Sequence, residues 1–224
     1  MVKLHLGCGT RYLDGYVNID YPPAQQLTEN QVKADIYTDL LGLNYSPASV
    51  IEVRNHHVFE HFSRPVALAL LFRWTDWLAE DGVLRIETPD MFTSAQLLTA
   101  ENTSSGQRYQ IMRHIFGSHE APWAIHYDGW YADKFRDVLT VLSYKEIVIK
   151  EFKWESLCNI EVIAKSSGKR HTFIEYKEIA EQILSKSLIS HRPFGGLMSD
   201  KISLSEIQML QIWMADWQKA YEKS

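Results

Sequence analysis

KLHLGCGTRYLDGYVNID, residues 3–20, is the stretch whose reading decides the fold. Leu4 and Leu6 mark an apolar strand that runs straight into Gly7-Cys8-Gly9, and a second apolar run closes on the carboxylate of Asp20. A strand, a glycine turn and an acidic residue ending the neighbouring strand are the parts with which open α/β sheets hold a nucleoside. Glycine has no Cβ and tolerates positive φ, so the turn can approach a ligand closely. Asp20 can accept hydrogen bonds from both hydroxyls of a ribose, and its charge strengthens them.

The spacing narrows the ligand. A dinucleotide fingerprint needs a third glycine, a full crossover helix and an acidic residue about 20 positions on. The third glycine is missing here, and Asp20 arrives eleven residues after Gly9. A parallel crossover usually takes a dozen or more residues. The first helix is therefore expected to shrink to about one turn near Arg11–Asp14. Without a helix N-terminus at the turn there is no seat for a pyrophosphate. A ligand with a ribose and no phosphate is expected, which disfavours a nicotinamide dehydrogenase.

Further along stand NID at 18–20, KAD at 33–35, HHVFEHF at 56–62 and LAEDGVLRIETPD at 78–90. With LHLGCG, these runs resemble class I S-adenosylmethionine-dependent methyltransferases in order and spacing. The likeness is greatest to the compact bacterial group whose first motif reads LNLGCG followed by G-[WY]-x-N-x-D. Gly15-Tyr16-Val17-Asn18-Ile19-Asp20 fits that run. The resemblance covers about residues 2–165 and implies a Rossmann-like, doubly wound α/β fold. Its seven-stranded sheet would be mostly parallel with an antiparallel last strand, and S-adenosylmethionine would be the cofactor.

Bulk properties agree. With 224 residues and 46% hydrophobic content, the chain can build one full core and not two ordinary domains. A net charge of −5 argues against nucleic acid as a partner. No run approaches the roughly 20 apolar residues that span a bilayer, and no signal peptide opens the chain, so no membrane association and a cytoplasmic location are expected. Cys8 and Cys158 suggest no disulfide framework.

Strand patterns fall at Lys3–Leu6, Tyr16–Ile19, Gln31–Ala34, Val50–Asn55 and Val83–Thr88, with a closing hairpin at Lys145–Phe152 and Leu157–Ala164. Helical patterns fall at Pro65–Leu78, stopped by Asp81-Gly82, and at Gly106–Phe116 and Ala132–Leu142. The division expected is a methyltransferase domain over 1–165 and a helical extension over 166–224 packed on it. In that extension Glu175–Leu188 reads as a helix and Ser190–Ser199 as a loop. Ser203 and Glu206 make a capping box for a last helix. Its stripe of Ile207, Leu210, Trp213, Met214 and Trp217 packs on its own domain or, alternatively, makes a homodimer.

The resemblance assigns site residues one at a time. Gly7, Cys8 and Gly9 would lie beneath the methionine and ribose, and Asp20 would take the ribose hydroxyls. Asp35, ending the third strand, would accept from the adenine amino group beside the backbone of Ile36. Asn55 and His56 would face the cofactor at the end of the fourth strand. His5 stands where many relatives carry an acidic or amide side chain.

His57, Glu60 and His61 have the donor types and i, i+3, i+4 spacing of a metal half-site. The first position is not the glutamate of those methyltransferases that hold an ion through such a segment. Many relatives carry a similar run without metal, so no metal is expected. Downstream, SHEAPWAIHYDGWY at 118–131 gathers His119, Glu120, Trp123, His126, Asp128, Trp130 and Tyr131 in one loop. Such loops build acceptor pockets, and a neutral histidine can deprotonate a hydroxyl or amine during methyl transfer. His126 and His57 are the candidate bases. The function expected is methyl transfer to an O or N of a small-molecule or glycan-type acceptor. The alternative is a non-catalytic, cofactor-binding partner subunit.

Overall fold

The structure, a computed structural model, describes residues 1–22, 32–189 and 204–223. Seven strands form one sheet: β1 (Val2–Leu6), β2 (Val17–Asp20), β3 (Ile36–Tyr37), β4 (Val50–His56), β5 (Leu78–Pro89), β6 (Tyr144–Trp154) and β7 (Leu157–Ser166). Their order is β3-β2-β1-β4-β5-β7-β6. Neighbours pair in parallel from β3 through β5, and β7 runs antiparallel to both β5 and β6. Six strands thus share one direction. The chain steps outward from β1 through β2 to β3, then returns to place β4 on β1's other side. That reversal opens a crevice at the carboxyl ends of β1 and β4, where ligands of such sheets bind.

The first crossover contains no helix among residues 9–16. Two turns replace it, closed by Arg11 N–H to the Cys8 carbonyl (2.9 Å) and Tyr16 N–H to the Leu13 carbonyl (3.3 Å). Asn18 staples the loop: its amide donates to the Leu13 and Tyr16 carbonyls and accepts from Leu13 N–H. The expected single helical turn is thus absent.

Three further differences follow from non-local pairing. The third strand is Ile36–Tyr37, not Gln31–Ala34; residues 32–34 are not strand, and Gln31 lies outside the described residues. This edge strand is half exposed on both residues, so alternation carried little signal. The fifth strand starts at Leu78, and Asp81-Gly82 does not stop the preceding helix but lies inside the strand. The register to β4 slips there, and Asp81 takes φ 61°. Such an irregularity is a bulge that sequence periodicity does not show.

The described residues also form six α-helices: α1 (Arg64–Trp77), α2 (Met91–Thr99), α3 (Ser105–Phe116), α4 (Ala132–Val141), α5 (Phe173–Ser185) and α6 (Leu204–Glu222). The sequence reading missed α2, which is capped by Asp90 accepting from Phe92 N–H. α1 is buried around nearly its whole circumference, from Ala67 through Thr75. A helix apolar all round must be covered on every side, and α5 and α6 supply the outer layer.

Trp217 of α6 is fully buried, stacked on both Tyr221 and Phe173, which also meet each other, and edge-on to Phe72. Asp76 of α1 accepts from the hydroxyls of Tyr176 (2.8 Å) and Tyr221 (3.0 Å), tying both later helices to α1. Ser203 of the expected capping box and the Ser190–Ser199 loop lie outside the described residues. Among the described residues no helix is long and apolar enough to cross a membrane. Both cysteines are free and buried.

Candidate active site

The first wall of the crevice is the turn after β1. Gly7 and Gly9 adopt φ 65° and 54°, a conformation costly for residues with a Cβ. They differ in surroundings. A Cβ on Gly7 would meet Val58 Cγ2 at 2.2 Å, whereas one on Gly9 meets nothing within 4 Å among the described residues. The N–H groups of Gly7 and Cys8 both donate to the Ile19 carbonyl, at 2.8 and 3.1 Å, locking the turn to β2. Cys8 points inward, and burial, with the charge of Asp20 added, pushes its thiol pKa up to about 12. It is no nucleophile at neutral pH.

Asp20 closes β2 with its carboxylate turned to the glycine turn. Oδ2 accepts from Gly9 N–H at 2.6 Å and Oδ1 from Tyr21 N–H at 2.7 Å. Asp35 does not end the third strand but precedes it. Its Oδ2 accepts from Asn18 N–H at 2.7 Å and its Oδ1 from the Tyr12 hydroxyl at 2.8 Å. The Asn18 N–H bond, followed by that of Tyr12, lowers its pKa. Asp35 thus braces β2, two residues behind Asp20, and Ile36 opens the edge strand.

The second wall is the end of β4. Asn55 pairs in register with Leu6, immediately before the glycine turn. Its side-chain amide is buried, and neither Oδ1 nor Nδ2 has a partner among the described residues. His56 Nε2 lies 2.7 Å from Glu87 Oε1 of β5. His57 takes φ 53° and donates its N–H to the Glu87 carbonyl. Its Nδ1 lies 3.1 Å from Glu60 Oε1, and its Nε2 lies 3.8 Å from Glu87 Oε1.

Burial works against the charged form of His57. The hydrogen bond and charge of Glu60, with the charge of Glu87, outweigh it and leave the pKa raised. Burial likewise works against charge on Glu60, but His57, then His61 and His126, hold its pKa down.

The 118–131 loop splits between site and core. Trp130 is buried against Phe59 and Phe135, so it is a core residue and not an acceptor wall. Asp128 is committed to Arg64 and Lys134. Trp123, Tyr127 and Tyr131 remain exposed. Gly117 N-terminal to the loop and Ile125 within it form a bridge, and Tyr127 N–H donates to the Glu60 carbonyl at 2.9 Å. These contacts bring His126 beside Glu60 and His61. Burial lowers the His126 pKa.

Sequence reasoning did not single out Glu87 or His114. Glu87 had a local signal, because it shares a face with Arg85 at the carboxyl end of a recognisable strand. His114 had none: it reaches the Cys158 carbonyl and Asn159 across the fold, and its ring lies 5.9 Å from that of His57.

Strand order and crevice together define the Rossmann-like fold of class I methyltransferases. One solved structure of this kind is a SAM-dependent methyltransferase from Archaeoglobus fulgidus (TM-score 0.51, 14% identity), with 73% of this chain and 86% of that one covered. Another is a chain of the complex between the Haloferax volcanii Trm112 methyltransferase activator and a methyltransferase (TM-score 0.50, 11% identity), with 76% and 84% covered. No family model and no curated protein matches the chain. At these identities the likeness is one of fold.

Proposed function

We propose that the protein is an S-adenosylmethionine-dependent methyltransferase acting on an O or N of a small-molecule or glycan-type acceptor. The observation that carries this reading is the Asp20 carboxylate fixed at 2.6 Å from Gly9 N–H, at the mouth of a left-handed glycine turn beside the sheet's reversal point.

The residues present fit the cofactor. Gly9 faces open space where a Cβ would otherwise stand, and the Asn55 amide offers a buried donor and acceptor without protein partners among the described residues. Gly7, Cys8 and Gly9 would supply the backbone floor and Asp20 the ribose contact. Asn55 and His56 would stand on the β4 side. Asp35, with Ile36 beside it, would contribute from behind Asp20 by bracing β2. The bound sulfonium supplies an activated methyl group with its own leaving group, so the protein's task is alignment and proton removal.

His57 is the better base of the two histidines. A carboxylate anchors its Nδ1, which leaves Nε2 to accept a proton, and its side chain is 31% exposed against 12% for His126. Glu60 sets its orientation. In this reading residues 1–165 are the catalytic domain, and α5 and α6 are an extension laid over α1. A cofactor-binding partner subunit without turnover would share the turn and Asp20 but would have no use for an anchored, accessible His57.

The test is calorimetric titration with S-adenosylmethionine and S-adenosylhomocysteine, with NAD as control. Micromolar binding of the sulfur nucleosides alone is expected. Absence of binding by either one overturns the reading.

A further inference from the structure

The loop after α3 returns His126 to the short helical turn Phe59–His61, where Glu60 is 2% exposed. Oε1 of Glu60 is engaged by His57 and lies 4.0 Å from His126 Nε2. Its other oxygen, Oε2, is buried without a hydrogen-bond partner among the described residues, and so is Nδ1 of His126. The rings of His61 and His126 meet edge to face with centroids 4.7 Å apart. One donor atom from each of Glu60, His61 and His126 lies within 4.8 Å of the other two.

His61 Nδ1 stands 3.1 Å from the Ile125 carbonyl. A carbonyl only accepts, so Nδ1 carries the proton and Nε2 holds the lone pair. Metal-binding histidines are oriented in this way. The hydrogen bond with His57 accounts for one oxygen of Glu60 and leaves the other unexplained.

We infer that Glu60, His61 and His126 bind one divalent first-row transition-metal ion. Two imidazoles and a carboxylate suit zinc, cobalt or iron(II), and three protein donors leave a position for water or an acceptor oxygen. Donors at about 2.1 Å from a tetrahedral ion stand about 3.4 Å apart, so the observed spacings close with small side-chain shifts. A second trio, His56, His57 and Glu87, is also compact. There, however, Glu87 Oε1 is already satisfied by His56 at 2.7 Å, and the three residues contain no unpartnered buried side-chain atom. The sequence reading expected no metal, because His57 fills the first position of the segment and many relatives carry a similar run without an ion. The third donor is instead His126, which only the tertiary fold delivers.

The inference does not depend on methyl transfer, and its readout is metal binding itself. Full-length protein stripped with EDTA and desalted is titrated with Co²⁺, followed by the visible d–d bands of the bound ion, and with Zn²⁺ by calorimetry. One equivalent is expected to bind. Glu60→Gln and His126→Ala, checked for folding by circular dichroism, should each weaken the affinity more than 100-fold. That exceeds the roughly 10–100-fold that loss of an outer-shell partner costs. His61→Ala carries the same expectation should either variant fail to fold. Wild-type protein that binds neither ion stoichiometrically overturns the inference. So does binding that survives these substitutions, or that is lost in Glu87→Gln and kept in Glu60→Gln.

Discussion

Replacing Asp20 by alanine removes the carboxylate that Gly9 N–H and Tyr21 N–H now hold at 2.6 and 2.7 Å. Both bonds orient the group before any ligand arrives, so a ribose hydroxyl would meet an acceptor already in place. A hydrogen bond to a charged group contributes about 1.5–3 kcal/mol. At about 1.4 kcal/mol per decade, the dissociation constant for S-adenosylhomocysteine should rise roughly 10- to 150-fold. Asp20→Asn separates charge from shape. It keeps one acceptor oxygen for the turn and loses the charge, so its affinity should fall between those of wild type and Asp20→Ala. Calorimetry measures both, and thermal melts run alongside report any loosening of the turn. An Asp20→Ala protein that melts like wild type and binds within about threefold of it would refute the placement of Asp20 at the ribose.

His57→Ala should cut turnover by about 10²–10⁴-fold, the usual contribution of a positioned base, while cofactor affinity stays unchanged; retained turnover assigns the proton to another group. Gly7→Ala must relieve a 2.2 Å approach to Val58 as well as adopt positive φ. Gly9→Ala bears only the conformational cost of about 1–2 kcal/mol, so urea titrations should show Gly7→Ala as the less stable, with partial recovery in a Gly7→Ala/Val58→Ala double variant. Trp217→Ala should cost about 3–5 kcal/mol, or roughly 6–20 °C in Tm for a chain of this size; a melt shifted by less than about 2 °C would mean that α6 is not seated on α1.

Burial lowers the pKa of His5 and of His171 below 6.5 in the folded protein. The unfolded chain therefore binds more protons at these positions as pH falls below 6.5. Their contribution to stability is complete above that value and is lost toward the folded pKa. These two groups should pull Tm down as pH falls below about 6.5, and the pull should be smaller in His5→Gln. An identical slope in the variant would remove His5 from the account.

Much of the scaffold was legible because its signals are local. The apolar runs at β1, β2, β4 and the β6–β7 hairpin announce themselves by composition, and the glycine turn with Asp20 follows from an eleven-residue spacing. α1 was legible from a long apolar run behind a proline, with both ends misplaced by one residue. The edge strand β3 was not, because two half-exposed residues are held by partners on β2 and carry no pattern of their own. α2 was not, because its opening depends on Asp90 as a cap at the end of a strand read as shorter.

The site divides along the same line. The sequence alone determined which chemistry was available: two flexible glycines, a carboxylate at a strand end, and a histidine-rich segment after β4. Periodicity and spacing act within a few residues, and these features lie within a few residues of one another. Only the tertiary structure decided which groups meet. It turned Asp35 onto Asn18, made Trp130 core, paired His56 with Glu87, and set His126 against Glu60 and His61. Those contacts depend on how β4, β5 and the loop after α3 converge at one edge of the sheet. Convergence of distant segments is a property of packing, which no local pattern encodes.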